Sequence, residues 1–167
     1  MVENTTSGGE SILVDGFRIA QDFRQQHPRY FQILTETPVN FKQFYTDFKY
    51  FYSRAQTVLE LDREGQIARV NFGHSHASNW NIPFEQMEKF YEAYCAFFRY
   101  LKNPAYQYQV RLQPGNLLLM YNDRILHGRK EFDSNSGIRH LEVAYIAWDY
   151  FTARNDFDRY KHLYLEG

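Results

Sequence analysis

The sequence predicts a single domain that is mainly β-sheet with flanking helices. Aromatic residues make up 19% of its 167 residues, including 15 Phe and 14 Tyr, and large rings favour strands and sheet faces. Several segments alternate apolar and polar residues as strands do, and others repeat apolar residues at helical spacing. Because no linker or internal repeat divides the chain, we expect one domain over residues 1–167.

Composition argues against several classes of protein. With 19 basic and 20 acidic residues the chain is near neutrality, so we expect no nucleic-acid partner. The lone Cys95 excludes a disulfide framework, and there is no apolar run of the roughly 18 residues that a membrane span needs. The polar residues 1–11 do not resemble a secretion signal. We expect a cytoplasmic protein, whereas a mitochondrial one would need a transit peptide ahead of residue 1.

Two short helices are predicted near the start. Asp15 suits an N-cap, apolar residues recur after it at helical spacing, and Pro28 bounds this first helix. The segment RYFQILTETPVNF predicts a second helix closed by Pro38.

A longer helix is predicted between Pro83, in its first turn, and Pro104, with Asn81 as a cap. Cys95 falls beside its apolar stripe, which favours packing over catalysis. The stripe consists of Phe84, Met87, Tyr91, Tyr94, Phe98 and Leu101.

Alternating segments predict the strands. Gly65 indicates a hairpin turn, and Pro114-Gly115 a second tight turn. We expect the aromatic run Phe41–Tyr52 to serve core and dimer packing. The expected strands are TVLELD, IARVNF, YQYQVRL, LLLMY and IRHLEVAYIAW.

Strand parity singles out Arg139. Side chains alternate between the faces of a strand, so Arg139 shares a face with Leu141, Val143 and Tyr145. An arginine is rarely buried unless it is paired. If this face is the inner one, Arg139 needs an anion, and a carboxylate matches the guanidinium fork.

His127 is a second candidate, because it follows a predicted strand and imidazole is a common ligand of iron and zinc. Spacing alone favours the plainer reading that His127 is a structural histidine.

Four segments, taken together, resemble a known family. The segments SGGESILVDGF, QTVLELDREGQIARVNF, LQPGNLLLMYNDRILHGRKEF and RHLEVAYIAWD run in order from Ser7 to Asp149. They are similar to the gamma-butyrobetaine and trimethyllysine dioxygenases, which are Fe(II)/2-oxoglutarate oxygenases of the taurine-dioxygenase type.

This resemblance implies a double-stranded β-helix (jelly roll), of which this chain would supply the later strands. It implies Fe(II), 2-oxoglutarate as cosubstrate and ascorbate as reductant. It also implies a small trimethylammonium substrate, a hydroxylation that belongs to carnitine biosynthesis, and a homodimer.

The resemblance also implies roles for particular residues. His127 matches the distant histidine of a 2-His-1-carboxylate iron site, and Arg139 matches the arginine that binds the far carboxylate of 2-oxoglutarate. Ser11 matches a hydroxyl position near 2-oxoglutarate in some relatives. Tyr145 matches a ring of the aromatic cage that holds the trimethylammonium by cation–π attraction.

One departure concerns the substrate. The family places an asparagine that contacts the substrate carboxylate in the segment after its Asn-Phe pair. Gly73 stands closest to that position, and Asn71 is the candidate nearest to it, with His74 and Asn79 as alternatives. The substrate is therefore left open by the sequence. We interpret the pair His74 and His76 as part of a polar loop.

The other departure concerns iron. The family's His-x-Asp/Glu pair is matched in letters only by His140 and Glu142, which fall on the strand face opposite Arg139. We therefore expect the chain to be the C-terminal part of a longer enzyme and inactive alone. The alternatives are a trimethyllysine dioxygenase, or a non-catalytic homologue that serves as a binding or oligomerisation module.

Overall fold

The computed structural model describes residues 1–47, 49–73 and 78–165, and it is a mixture of helices and small sheets. The helices are α1 (Gly16–Gln26), α2 (Pro28–Glu36), α3 (Phe84–Lys102), α4 (Trp148–Tyr160) and α5 (His162–Leu165). The strands are β1 (Glu3–Asn4), β2 (Ser7–Gly8), β3 (Ser11–Asp15), β4 (Val39–Tyr45), β5 (Tyr50–Gln56), β6 (Leu59–Leu61), β7 (Ile67–Val70), β8 (Gln107–Val110), β9 (Ile125–Arg129), β10 (Phe132–Asp133) and β11 (Arg139–His140).

Strand pairing connects the two ends of the chain. β3 lies between β8 and β9 and is antiparallel to both. β1 pairs with β11, and β2 pairs with β10. The remaining pairs are the local hairpins β4–β5 and β6–β7. The first fifteen residues are therefore fixed almost entirely by partners from the last third of the described chain.

The predicted helix α1 is confirmed. The side chain of Asp15 accepts hydrogen bonds from the backbone N–H groups of Phe17 and Arg18, as an N-cap does. Ile19, Ala20 and Phe23 are buried. Pro28 then ends α1 and occupies the first turn of α2, where its missing N–H leaves no helical bond unmade.

Helix α3 is present, and its predicted buried face is partly confirmed, because Leu101 is buried and Tyr94 packs against the core. Two other members of the predicted stripe are exposed. Phe84 is 91% exposed and Tyr91 is 57% exposed. The small residues Ala93 and Ala96 let the helix approach its neighbours closely, so the buried face is rotated from the stripe of large rings. Its buried residues are Phe90, Ala93, Ala96, Phe97 and Leu101.

Details at the ends of α3 also differ from prediction. Pro83 itself is the N-cap and no side chain caps the helix, so Asn81 does not have that role. The helix ends at Lys102, before Pro104, as expected. Cys95 is only half-buried, which agrees with packing at the rim of the core rather than inside it.

The apolar core lies between the first three helices and one face of the sheets. Val14 on β3 and Val70 on β7 contribute from the strands. The largest fully buried side chains are Phe23, Phe90, Phe97, Ile19, Leu34, Leu59, Val39 and Val58.

The local hairpins β6–β7 and β4–β5 each test one of the predictions. The β6–β7 hairpin turns at Gly65, which has a φ of 74°, so this prediction is confirmed. The predicted core packing of the run Phe41–Tyr52 is largely wrong, because Phe44 and Phe51 are exposed. Within the described residues, β4 and β5 pair only with each other, so most of this hairpin lacks a second layer to cover it. The dimer packing stays a prediction.

One predicted strand does not form, and another forms only at its start, as β11. Residues 117–121 and 141–147 are not in strands, and Leu117 is 89% exposed. A strand needs a hydrogen-bonded neighbour, and within the described ranges neither segment has one. The prediction of a mainly β fold is therefore corrected to a mixed one, and the jelly roll stays a prediction. No helix among the described residues is long and apolar enough to cross a membrane.

Candidate functional site

The three-stranded sheet presents two chemically different faces. Val14 and its cross-strand partner Leu126 face the core. Leu13 and its partner His127 must face the opposite way, because neighbouring residues of a strand alternate. We call this second surface the open face.

Two rows of side chains cross the open face from β8 through β3 to β9. One row is Tyr108, Leu13 and His127, and the next is Val110, Ser11 and Arg129. The register thus places Ser11 diagonally next to His127, and two of the predicted site residues are brought together on one surface.

His127 is available as a ligand. It is exposed, and among the described residues its imidazole has no hydrogen-bond partner. A neutral imidazole with a free nitrogen can bind a transition metal. The described part of the chain contains no group of three His, Cys, Asp or Glu side chains that could hold a metal ion. His127 therefore fits iron as one ligand of an incomplete set.

A cleft of about 300 Å³ lies between the base of the β4–β5 hairpin and the end of β9. Tyr52, Asn71, Gly73 and His127 are among its lining residues. The structure therefore brings Asn71 and His127 to one cavity.

The side chain of Asn71 is already engaged. Its Nδ2 donates to the Thr57 carbonyl oxygen at 2.9 Å and to Glu60 Oε1 at 2.7 Å. Both side-chain amide hydrogens are thus used within the cleft wall. The side-chain Oδ1, which can only accept hydrogen bonds, is the group left for other partners.

An ion pair forms another part of the cleft wall. Arg69 Nε lies 3.0 Å from Asp123 Oδ1, and Nη2 donates to Oδ2 at 3.0 Å. Burial alone would lower the pKa of Arg69, but the hydrogen bond and charge of Asp123 raise that pKa above its ordinary value. Since the two charges offset each other, this wall offers little net charge to a ligand.

Arg139 occupies a cradle made by a glycine. A Cβ added at Gly9, which has a φ of +75°, would lie 3.6 Å from Arg139 Nε and 3.1 Å from Phe132 Cβ. Arg139 Nε is buried and, within the described residues, has no hydrogen-bond partner. Burial lowers the pKa of Arg139, and the nearby charge of Arg129 lowers it further. The group therefore has the character of a cation that lacks its anion.

The turn that forms this cradle is held by a second arginine. Arg111 Nη1 donates to the Gly8 carbonyl oxygen at 2.6 Å, and Nη2 donates to the carbonyl oxygen of Thr6. Charge-assisted bonds to two carbonyls fix the backbone just ahead of Gly9.

Tyr145 lies apart from these groups. It is 84% exposed, in the segment after β11, and it is not among the residues that line the cleft. His140 and Glu142 are also exposed, and His140 Nε2 lies 3.8 Å from Glu142 Oε1. Of the alternatives to Asn71, His74 lies outside the described residues, as does the neighbouring His76, and Asn79 is exposed.

Residues 1–145 match the family described as taurine catabolism dioxygenase TauD, TfdA family. The chain belongs to the TauD/TfdA family. This match covers β1 to β11 and therefore includes every side chain discussed above.

Individual TauD/TfdA relatives are similar over most of this chain. It is 33% identical to the human (Homo sapiens) gamma-butyrobetaine dioxygenase over 92% of its length, which is 40% of that relative. It is 32% identical to the gamma-butyrobetaine dioxygenase of Pseudomonas sp. (strain AK-1), over 90% of this chain and 39% of the relative. The trimethyllysine dioxygenase of Meyerozyma guilliermondii is 32% identical, over 89% and 37%. The chain thus spans about two fifths of the length of these relatives.

Sequence reasoning missed several residues of this TauD/TfdA site. Tyr108 and Arg129 became visible only through the strand register, and Tyr52 only through the cleft. Arg129 had one usable signal, since it alternates with His127 in the motif LHGR and so shares its face in any strand.

Proposed function

We propose that this chain carries one iron ligand and the 2-oxoglutarate anchor of an Fe(II)/2-oxoglutarate-dependent dioxygenase. The observation that supports the proposal best is the buried Nε of Arg139, which has no acceptor among the described residues. A carboxylate is the group that would satisfy this guanidinium with two parallel hydrogen bonds.

Each residue has a distinct role in this proposal. His127 would donate an imidazole nitrogen to iron, and Arg139 would hold the far carboxylate of 2-oxoglutarate. Ser11, which lies diagonally from His127 on the open face, would donate its hydroxyl hydrogen to the same cosubstrate. When bound, Fe(II) and 2-oxoglutarate supply the oxidising chemistry, in which O2 hydroxylates a C–H bond while the keto acid is converted to succinate and CO2. Ascorbate would serve as reductant.

The substrate in this proposal is a small trimethylammonium compound of the gamma-butyrobetaine type. Tyr145 would contribute an exposed ring to a cation–π cage. Both amide hydrogens of Asn71 are bound to Thr57 and Glu60, so Asn71 would shape the cleft wall and could not donate to the substrate carboxylate in this arrangement. Trimethyllysine is the second candidate, because relatives with either name are 32–33% identical to this chain. Competition between the two compounds in a turnover assay of the native protein separates these candidates.

Binding of 2-oxoglutarate tests the anchor directly. We expect Arg139→Ala to weaken binding by roughly tenfold or more, since a lost hydrogen bond between charged groups is worth about 1.5–3 kcal/mol. Unchanged affinity in Arg139→Ala would contradict both the enzyme and a carboxylate-binding module without catalysis.

Activity of the chain by itself is a separate prediction. Within the described residues His127 has no companions that would complete a three-ligand iron site, so we expect the 167-residue chain to show no Fe(II)-dependent turnover of 2-oxoglutarate. The intact mass of the native protein is the measurement to make first. A mass about twice 20.1 kDa would place the missing ligands in additional polypeptide, and carnitine formation by that protein would then be assayed. A mass near 20.1 kDa with no turnover would favour the binding module.

A further inference from the structure

The guanidinium groups of Arg129 and Arg139 both approach the ring of Phe132. The Cζ atoms of Arg129 and Arg139 lie 4.3 and 6.0 Å from the centre of the Phe132 ring. Neither arginine forms an ion pair with a described residue. Two like charges repel, and an anion between them would offset that repulsion.

The strand register determines where that anion would lie. Arg129 faces Ser11 across the β3–β9 pair, in the row next to that of His127. Two positions along a strand correspond to about 7 Å, comparable to the separation between the ends of a five-carbon diacid. A ligand whose keto acid end is held at the metal that His127 would bind could extend its other end toward Arg129.

The cradle at Gly9 brings the second cation to the same end. Gly9 lies two residues before Ser11, and Arg139 packs on it. Arg129, which pairs with Ser11, and Arg139, which packs on Gly9, therefore both border the ring of Phe132, which forms an apolar wall.

We infer that Arg129 is a specificity-determining residue that binds, together with Arg139, the distal carboxylate of a dicarboxylic ligand. This inference rests on the proposed function, because it takes 2-oxoglutarate as that ligand. It adds that discrimination between diacids and monoacids depends on two guanidinium groups rather than one.

The test compares two ligands that differ only at the distal end. The full chain is titrated by calorimetry with 2-oxoglutarate and with 2-oxobutyrate, which lacks the second carboxylate. The variants are Arg129→Gln, Arg129→Lys, Arg139→Gln and a matched control, Arg63→Gln, which changes an exposed arginine in the β6–β7 turn. Thermal unfolding without ligand checks that the exposed Arg129 has no structural role.

We expect Arg129→Gln to weaken 2-oxoglutarate binding roughly tenfold and to leave 2-oxobutyrate binding and thermal unfolding unchanged. Arg129→Lys should restore part of the affinity, since it keeps the charge but not the fork. Arg63→Gln should match the unchanged chain.

The failures are distinguishable. Full affinity in Arg129→Gln with a loss in Arg139→Gln would overturn the role of Arg129 and keep the proposed anchor. A loss of 2-oxoglutarate affinity in Arg129→Gln with no loss in Arg139→Gln would instead contradict the role of Arg139 as the anchor. An equal loss for both ligands in Arg129→Gln, or no 2-oxoglutarate binding by the unchanged chain, would overturn the two-arginine site.

Discussion

Asp15 combines two interactions on one carboxylate. Besides capping α1, it accepts from Arg124 Nη2 at 2.6 Å. The hydrogen bond from Arg124 is the main reason why the pKa of Asp15 lies below its ordinary value, and it outweighs burial, which raises that pKa. The residue therefore joins the start of α1 to the segment that leads into β9.

Replacing Asp15 with Ala should lower the free energy of unfolding by about 1–2 kcal/mol, because a helix cap and a partly exposed ion pair are both lost. Urea unfolding at neutral pH measures this. Asp15→Asn is the matched control, since asparagine caps helices well but carries no charge.

The same carboxylate predicts a pH dependence. Because its folded-state pKa is lowered, its contribution is complete above the ordinary value of 3.8 and is lost as the pH falls through the folded-state pKa. The stability difference between the unchanged chain and Asp15→Asn should therefore shrink on acidification below that value. A difference that is constant with pH would contradict the assignment.

The glycine beneath Arg139 allows a second comparison of single residues. Gly9 and Gly65 have nearly equal φ values of +75° and +74°, but a Cβ at Gly65 would have no atom within 4 Å. Gly65→Ala should cost about 1–2 kcal/mol for the left-handed backbone alone. Gly9→Ala should cost more, and it should also weaken 2-oxoglutarate binding, because Phe132 and Arg139 must move. Equal losses of stability in denaturant unfolding would contradict the close packing.

At the scale of elements, helix α3 distinguishes the predicted face from the observed one. Phe97→Ala should reduce the free energy of unfolding by about 3–5 kcal/mol, because Phe97 is fully buried. Phe84→Ala removes the same side chain from an exposed position of the same helix, and it should change stability by less than about 0.5 kcal/mol. Equal effects would show that the helix is rotated toward the sequence-based stripe.

The elements that the sequence predicted well are those defined by local chemistry. Asp15, Pro28 and Gly65 each act within a few residues of their own position, so α1, α2 and the β6–β7 hairpin could be derived. Segments 117–121 and 141–147 have strand-like patterns as well. Pattern alone could not establish them, because a strand also depends on a neighbour that the local sequence does not specify.

The site shows the same division. The types of His127 and Arg139 suggested a ligand and an anchor, whereas Arg129 was missed, although its alternation with His127 was a signal that could have found it. The cradle at Gly9 depends on the pairing of β2 with β10 and of β1 with β11, contacts that join opposite ends of the chain. Parity along one strand could not reveal them, and it assigned Tyr145 to a part of a strand that does not form.

For the whole molecule, exposed apolar side chains are the dominant surface feature. Leu117 and Leu119 are exposed in one segment, and Val143 and Ile146 in another. Exposed apolar side chains promote association where they meet those of a second molecule. We expect the double variant Leu117→Ser, Leu119→Ser to stay monomeric at higher concentration than the unchanged chain, with its free energy of unfolding altered by less than about 0.5 kcal/mol. Sedimentation velocity measures the first property and urea unfolding the second. An unchanged sedimentation profile would show that another surface controls association.

Because His127 pairs with Leu13 on the open face, the side of the sheet on which this proposed metal ligand lies depends on the register of β9 alone. Inserting one residue into β9 ahead of Leu126 would turn each following side chain to the opposite face of the sheet. The imidazole of His127 would then face the helices, and Leu126 would face solvent. Inserting two residues would return these side chains to their original faces, displaced by two positions along the strand. Length variation in this strand is therefore tolerable for ligand presentation only in even steps, a constraint that no single substitution would reveal.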